Sequence, residues 1–486
     1  MKRPVDKENI KTIECKHASY SRAKDYSKDD LLTIKEMIHT KDGKKIPNLY
    51  FIKNFKKDFY VTKEGFRQKE AQKKEWEDIN KLQKFTSTQA KLNENVAKAL
   101  GRPGMKGSLK MLARSPFLYG ADISTPTLIK KKYQDQFPGT MSENNVAVLD
   151  IETDVVNGTE EPIYVCISYK DKAILTVTES FVEGIIDFDL KLEQRIKELL
   201  PEEIKSRNLN VEIKICSNSG EACAYAISKA HVWMPDFLTI WNIDFDIPRI
   251  VNALMLYGYD PAVVFSDPKV PERFKYFNYR QGRTQKVTAS GTVSSIHPAE
   301  RWHVADCPAS FHLIDSMCAY KRIRMAEKNE TSYSLDFQLQ KHLGKRKLKS
   351  VDLGHLSGLD WHVEMQKNHK LDYGVYNLFD CIGVELLDEK TKDLSTSISV
   401  QNGFSDYKIF DSQPRRLIDQ LYFFVMGEGK IIASVSDDME DELDAFVVGL
   451  KDWVITLPSH LIVDNGIPIL EELPNVNSKI RVHNAD

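Results

Sequence analysis

Cysteine is scarce in this sequence and is not arranged in pairs. Seven cysteines are scattered over 486 residues, and no two of them have the C-x-x-C spacing. A disulfide framework or a structural zinc site uses paired cysteines. The pattern disfavours both and indicates free thiols in a reducing compartment, which we expect to be the cytoplasm.

Long apolar runs and an excess charge of one sign are also absent. No apolar run approaches the roughly 18 residues that cross a bilayer, and the N-terminus lacks the apolar core of a signal peptide. The net charge is −2 and the pI is about 6.7. We expect a soluble protein without a membrane partner, in which any nucleic-acid binding comes from local basic patches.

Length and composition indicate several globular domains. With 42% hydrophobic and 28% charged residues, a chain of this length predicts roughly two to four domains. We expect residues 1–144 to form an N-terminal domain with an irregular basic start, a strand-like stretch at 48–61 and a charged helical run at 63–100. A basic stretch at 127–133 precedes an acidic linker.

From residue 145 onwards, short β-branched segments alternate with helical patterns. The first three segments predict a three-strand meander, and a long helix is predicted near 373–390. This alternation predicts an α/β layer architecture with a mixed sheet over 145–390. The expected strands lie at 146–151, 163–169, 173–181, 210–216, 237–241 and 311–315, and the expected shorter helices at 190–200, 220–231, 247–257, 316–326 and 335–343.

A basic segment interrupts the alternation at 266–311. Cations such as Arg280 and Arg283 alternate there with aromatic residues, and glycines offer turn positions. Aromatic rings stack on bases and cations meet phosphates, so the segment is a candidate contact for single-stranded or duplex nucleic acid. An ordinary surface hairpin with one packed face explains the same pattern.

Two motifs at strand ends supply candidate catalytic carboxylates. Asp150 and Glu152 end a predicted strand in VLDIET, and a spacing of two puts both side chains on one face. Asp246 follows a later strand in WNIDFD, where Asp244 fits the spacing equally well. Polar groups at strand ends commonly bind ligands in α/β sheets.

A third motif adds a tyrosine and an acid on one helix face. Tyr376 and Asp380 are four residues apart in YNLFD. Each motif alone also has a structural explanation, such as capping or surface pairing. Four carboxylates brought together would repel one another unless divalent cations held them ionised, which is the arrangement of two-metal phosphodiester cleavage.

Because of these three motifs, residues 145–390 resemble the proofreading 3′-to-5′ exonuclease domain of family B DNA polymerases of the tailed-bacteriophage type. The family's three exonuclease motifs match Asp150 and Glu152; Asn242, Phe245 and Asp246; and Tyr376 and Asp380. The resemblance selects Asp246 over Asp244. It implies a ribonuclease H-like fold that hydrolyses mispaired 3′-terminal nucleotides.

The resemblance also implies DNA contacts. A Tyr-Ser-Leu segment at 333–335 matches a primer-strand contact of the family, and 273–300 lies where phage members carry a strand-separating hairpin. The candidate DNA-binding residues are Thr153, Asn242, Phe245, Ser334, Leu335, Arg280 and Arg283.

The implied mechanism uses two Mg²⁺ or Mn²⁺ ions. Asp150 would bridge both ions, while Glu152 and Asp380 would hold the ion that activates water. Tyr376 would orient that water, and Asp246 would act at the second ion.

The end of the sequence resembles the approach to the first palm motif of the family. Asp486 falls where that motif has a metal-binding Asp, although a terminal Asp without a role is the alternative. Later polymerase signatures are absent from the 486 residues. We expect residues 391–486 to complete a mixed α+β N-terminal domain and to begin the palm.

This pattern predicts the N-terminal half of a split DNA polymerase. Its expected partners are a DNA primer–template with a single-stranded 3′ end, a second chain with palm, fingers and thumb, and a sliding clamp. Truncation of a longer protein, a free-standing exonuclease in repair or RNA turnover, and a non-catalytic DNA-binding assembly module remain alternatives. A free-standing nuclease would not need residues 391–486, and a non-catalytic module would not need the five catalytic-type residues.

Overall fold

The computed structural model describes residues 3–67, 73–287, 291–348, 353, 356–436, 462–464 and 467–469. Asp486, considered above, lies outside the described residues, and so does the acidic segment 437–444. So does most of the palm-like stretch at the end of the sequence.

The N-terminal part contains two three-stranded antiparallel sheets. The first has the order β1-β2-β3, and in the second β4 lies between β6 and β7. The elements are β1 (Ile10–Arg22), β2 (Asp30–Thr40), β3 (Lys45–Lys53), β4 (Lys56–Thr62), β5 (Trp76–Asp78), β6 (Leu82–Thr88), α1 (Leu92–Ala99), α2 (Leu109–Leu112), β7 (Leu118–Tyr119) and α3 (Thr125–Gln136).

Three sequence-based predictions for this part are wrong. The start is not irregular, because β1 and β2 are long paired strands. Within its described residues, 63–67 and 73–100, the charged run is helical only in α1 and a few short turns, and it contains β5 and β6. β6 pairs with β4 and is largely exposed, so its polar side chains reflect a solvated strand rather than a helix face. The single strand expected at 48–61 is two strands, separated at Asn54, which has φ 53°.

A six-stranded mixed sheet forms the central part, with the order β11-β10-β9-β8-β12-β17. Its elements are β8 (Val146–Thr153), β9 (Pro162–Tyr169), β10 (Lys172–Thr178), α4 (Glu179–Val182), α5 (Phe188–Leu199), α6 (Pro201–Arg207), β11 (Asn210–Cys216), α7 (Ser219–Trp233), β12 (Phe237–Ile240), α8 (Ile243–Leu256), α9 (Pro261–Phe265), β13 (Asn278–Arg280), β14 (Gln285–Val287), β15 (Val293–Ser295), β16 (Val304–Asp306), β17 (His312–Asp315), α10 (Ser316–Ile323), α11 (Leu335–Leu343), α12 (Leu359–Asn368) and α13 (Lys370–Thr391).

The predicted meander and the mixed α/β architecture are confirmed. β8, β9 and β10 are consecutive antiparallel neighbours. β12 runs parallel to β8, and β17 runs parallel to β12. The carboxyl ends of β8, β12 and β17 therefore meet at one edge of the sheet, which is where the candidate site lies.

Helices cover both faces of this sheet. One core packs Leu149 and Ile151 of β8 against α7 and α8, and the other packs Val148 against α5, α11 and α13. α13 lies very close to β9, since a Cβ on Gly374 would be 3.0 Å from the Tyr164 ring. This close approach sets the distance between α13 and the end of β8.

The start of α8 differs from the prediction. The helix begins at Ile243 rather than near 247, so Asp246 lies in its first turn and not in an extended segment. Asp315 at the end of β17 accepts a hydrogen bond from the Ile243 backbone N–H at 3.0 Å. This tertiary contact satisfies a free N–H at the helix start and cannot be read from the local sequence.

The basic segment contains short antiparallel strands. β13 pairs with β16, and β14 pairs with β15. The side chains of β14 are exposed, so this pair does not show the one packed face of the hairpin alternative.

After α13 the chain contacts the N-terminal part again. The elements are α14 (Ile398–Asn402), α15 (Gln413–Gly427), β18 (Lys430–Ile432), β19 (Ile462–Asp464) and β20 (Ile467–Ile469). β18 pairs with β5, and Ser434 Oγ accepts a hydrogen bond from the Ala121 N–H at 2.9 Å. Across the described part of the chain, no helix combines the length and apolarity of a membrane span.

Candidate metal site

Three of the predicted carboxylates meet at the edge of the sheet. Asp150, Glu152 and Asp380 each offer one oxygen, and these oxygens lie within 4.8 Å of one another. Asp150 and Glu152 share one face of β8 because side chains alternate along a strand. Asp380 comes from α13, which packs across that face. This acidic cluster could hold a metal ion.

Asp246 lies directly beside the cluster. Its Oδ1 accepts a hydrogen bond from the Ile151 backbone N–H at 3.3 Å, and only 4% of the residue is exposed. Asp244 points elsewhere, because its carboxylate accepts hydrogen bonds from Tyr279 and Gln281. The fold thus brings Asp246 to the cluster and directs Asp244 to the basic segment.

Three residues that the sequence analysis missed hold the carboxylates in place. Tyr373 donates a hydrogen bond to Glu152 Oε2, and Asn377 Nδ2 donates one to Asp150 Oδ2 at 2.7 Å. Lys347 Nζ contacts Asp380 Oδ2. Tyr373 and Asn377 share a helix face with Asp380 at a spacing of i, i+4 and i+7, so helical periodicity could have identified them.

Lys347 is also the hydrogen-bond partner of the Tyr376 hydroxyl. The lysine Nζ lies 2.9 Å from the Tyr376 hydroxyl, which therefore accepts a hydrogen bond from a cation. The Tyr376 ring stacks against Tyr373 and is largely buried. Lys347 follows α11 in a lysine-rich stretch, and no local pattern separates it from its neighbours.

The carboxylates are held at raised pKa values. Burial, and then the charge of Asp380, raise the pKa of Asp150 to about 7. Burial and the charge of Asp150 raise the pKa of both Glu152 and Asp246 well above their ordinary values. Burial also raises the pKa of Asp380, although Lys347 partly opposes the rise. Additional positive charge in the cluster would offset the repulsion between the carboxylates and lower their pKa values.

The residues present fit a divalent cation. Within the described residues, Asp380 Oδ1 is buried and has no hydrogen-bond partner, and the same holds for Asn377 Oδ1. Hard cations such as Mg²⁺ and Mn²⁺ prefer carboxylate and amide oxygens. A buried oxygen without a partner, next to two further carboxylates, could supply part of the coordination shell of such an ion.

The candidate DNA-binding residues differ in exposure. Thr153 and Leu335 are buried, whereas Asn242, Phe245, Ser334, Arg280 and Arg283 are exposed. The Thr153 backbone carbonyl accepts a hydrogen bond from Gln366 Nε2 at 2.8 Å. Ser334 caps α11 by accepting a hydrogen bond from the Phe337 N–H. The exposed residues are therefore the ones available to a polynucleotide.

The raised pKa of Asp150 predicts a pH-dependent stability without metal ions. Folded Asp150 has a pKa of about 7, compared with an ordinary value of 3.8. Between these values the native state binds more protons than the unfolded chain, so the free energy of unfolding falls as the pH rises, by up to about 1.4 kcal/mol per pH unit. Thermal unfolding in EDTA across this interval measures the slope.

Adding Mg²⁺ or Mn²⁺ is expected to raise Tm, and to raise it more above pH 7 than near pH 4. The control is Asp150→Asn, which should reduce the slope and the gain from metal, while Glu152, Asp246 and Asp380, whose pKa values are also raised, retain part of the pH dependence. A Tm that does not respond to either ion at pH 8 would contradict a metal site here.

No protein-family model and no curated protein matches this chain.

Proposed function

We propose that this chain is the 3′-to-5′ proofreading exonuclease portion of a family B DNA-directed DNA polymerase. The observation that carries the proposal is the cluster of Asp150, Glu152 and Asp380 at the sheet edge, with Asp246 beside it. These are the four acids that the three sequence motifs supply. Their convergence from distant parts of the chain supports the proposed hydrolysis of a 3′-terminal phosphodiester.

Each residue has a role in this proposal. Two Mg²⁺ or Mn²⁺ ions, when bound, would activate water and stabilise charge on the leaving oxygen. Asp150 would help to hold both ions, because it belongs to the cluster with Asp380 and directly precedes Ile151, whose backbone N–H donates to Asp246. Tyr376 lies next to Asp380 and would orient the attacking water, while Lys347 fixes the positions of both side chains.

The fold supports the ribonuclease H-like part of the proposal. A three-strand meander continues into parallel strands, and the carboxylates lie on its first strand and on a helix that packs against it. The pairing of β18 with β5 supports the proposed return of residues after 390 to the N-terminal domain (1–144).

A second polypeptide with palm, fingers and thumb, and a sliding clamp, remain part of the proposal. The exposed face of α15 supports an additional protein contact. Leu417, Leu421 and Phe424 recur at helical spacing and are 54%, 49% and 68% exposed. Apolar side chains grouped in this way are common at protein–protein contacts.

The proposed activity is tested with a single-stranded DNA labelled at its 5′ end. The purified chain with Mg²⁺ should shorten it stepwise from the 3′ end, and EDTA should stop the reaction. A closed single-stranded circle of the same sequence has no 3′ end and should persist. Cleavage of the circle, or no shortening of the linear strand, would contradict the proposal.

The same assay addresses the alternatives. An RNA of equal sequence compares the two substrates directly. Faster shortening of RNA than of DNA would favour a role in RNA turnover. A fully active monomer that binds no polymerase chain would favour a free-standing exonuclease.

A further inference from the structure

We propose that Asp244 is a positioning residue that fixes residues 278–283 and 301–306 of the basic segment beside the metal site and thereby orients the incoming polynucleotide strand. This inference rests on the proposed exonuclease function. It assigns a role to the acid that spacing alone could not distinguish from Asp246.

Three side chains of the basic segment lie within 3.6 Å of the Asp244 carboxylate, and the Arg301 guanidinium lies 4.0 Å from it. The Tyr279 hydroxyl donates a hydrogen bond to Oδ1 at 2.8 Å, and Gln281 Nε2 lies 2.9 and 3.2 Å from the two carboxylate oxygens. His303 Nδ1 lies 3.6 Å from Oδ1 and 3.0 Å from the Tyr279 hydroxyl. We call Asp244, Tyr279, Gln281 and His303 the Asp244 network.

The network joins both long sides of the segment to the start of α8. Tyr279 belongs to β13. His303 directly precedes β16, which is the antiparallel partner of β13. His303 Nδ1 also accepts a hydrogen bond from the Gly282 N–H at 3.2 Å. A Cβ on Gly282 would lie 2.9 Å from backbone atoms of Arg301 and Trp302, so the two sides are in close backbone contact. Asp244 therefore holds a defined unit of structure.

The part of the basic segment that the Asp244 network holds carries the cations that a nucleic acid would contact. Arg280 and Arg283 are exposed and lie on either side of Gln281. Next to Asp244 on α8, the Phe245 ring is 39% exposed and lies 3.8 Å from the Arg249 guanidinium carbon. Phosphates and a base would meet cations and an aromatic ring on this surface.

The two acids at the start of α8 therefore contact different parts of the structure. Asp246 faces the cluster, and Asp244 faces the basic segment two residues earlier. Loss of Asp244 would leave the cluster intact but would free the arginines from their fixed place beside it. The expected effect is on binding of a long strand, not on the chemistry at the scissile bond.

The test compares a dinucleotide with a long single-stranded DNA. Asp244→Ala is expected to raise KM for the long strand about tenfold, with kcat within about twofold of wild type and the dinucleotide unaffected, because Tyr279 and Gln281 lose their charged hydrogen-bond partner. A rise in KM distinguishes this role from a simple charge effect, because removing an acid near DNA would by itself strengthen binding and lower KM. Asp189→Ala removes an exposed acid of α5 and is the matched control for charge.

A reciprocal exchange provides the rescue. Gln281→Glu places two like charges together and should raise KM as Asp244→Ala does. Asp244→Asn combined with Gln281→Glu restores an amide–carboxylate pair of the same length and should return KM to within about threefold of wild type. Tyr279→Phe removes one hydrogen bond only and should give a smaller rise, which covers the case that the other variants fold poorly.

Binding measured without turnover separates the two proposals. In an Asp150→Asn background, fluorescence anisotropy of the long strand should show the same tenfold loss for Asp244→Ala and the same rescue. An inactive wild type would overturn the proposed function. An active wild type with unchanged KM in these variants, an equal loss on the dinucleotide, or an absence of rescue would overturn the role of Asp244 alone.

Discussion

Replacement of Asp150 by Asn is expected to lower kcat/KM for Mg²⁺-dependent shortening of single-stranded DNA by about 10³-fold or more. In the proposed mechanism Asp150 would help to hold both ions, and such ions contribute several kcal/mol of transition-state stabilisation. Asn keeps the size of the side chain and can still accept the hydrogen bond from Asn377. The loss is therefore a loss of charge and not of packing.

Thermal unfolding provides the control for this variant. In EDTA at pH 8, Asp150→Asn should be at least as stable as wild type, because it removes a charge from a cluster whose pKa values are raised by burial and repulsion. Asp171→Asn, at an exposed turn, should change neither activity nor Tm. Activity that survives in Asp150→Ala combined with Glu152→Ala would show that the cluster is not the catalytic centre.

Replacement of Lys347 by Met is expected to give the second largest effect, a fall in kcat of about 10²-fold at saturating Mg²⁺. Lys347 Nζ joins Asp380 to the Tyr376 hydroxyl, so its loss frees both groups. Asp380 is buried but the Lys347 side chain is 29% exposed, so breaking this pair should cost less than the about 3–5 kcal/mol of a fully buried pair, and bound metal would offset a part. Lys347 acts through Asp380 and Tyr376 and is a positioning residue.

Metal titration distinguishes this role from a general loss of stability. Without the lysine charge, the cluster should bind Mg²⁺ more tightly, so the concentration for half-maximal activity should fall while kcat falls as well. Lys347→Arg should recover part of kcat. Lys345→Met is the matched control, because Lys345 pairs with Glu203 away from the cluster. Equal losses in Lys345→Met and Lys347→Met, or a weaker response to Mg²⁺, would contradict the role assigned to Lys347.

Local periodicity predicted the parts of the site that lie on one element. A spacing of two residues placed Asp150 and Glu152 on one face of β8, and the structure brings their oxygens together. A spacing of four predicted that Tyr376 and Asp380 share a face of α13, and both lie next to Lys347. These predictions succeeded because side-chain direction within a strand or helix depends only on the backbone repeat.

Composition was a poor guide in the N-terminal part. The charged run at 63–100 suggested a helix, yet it includes two strands and ends in one short helix. Lysine and glutamate favour helices only weakly, and pairing with a neighbouring strand overrides that preference. β5 shows this most clearly, because its described sheet partner is β18, which follows more than 300 residues later in the chain.

By itself, the sequence determined which carboxylates exist and which of them share an element. Tertiary structure decided that Asp246 reaches the cluster while Asp244 holds the basic segment, since α8 begins where Asp315 meets the Ile243 N–H. It also brought Lys347 to Asp380. Distances between elements depend on how they pack, and packing is set by contacts between residues far apart in the chain.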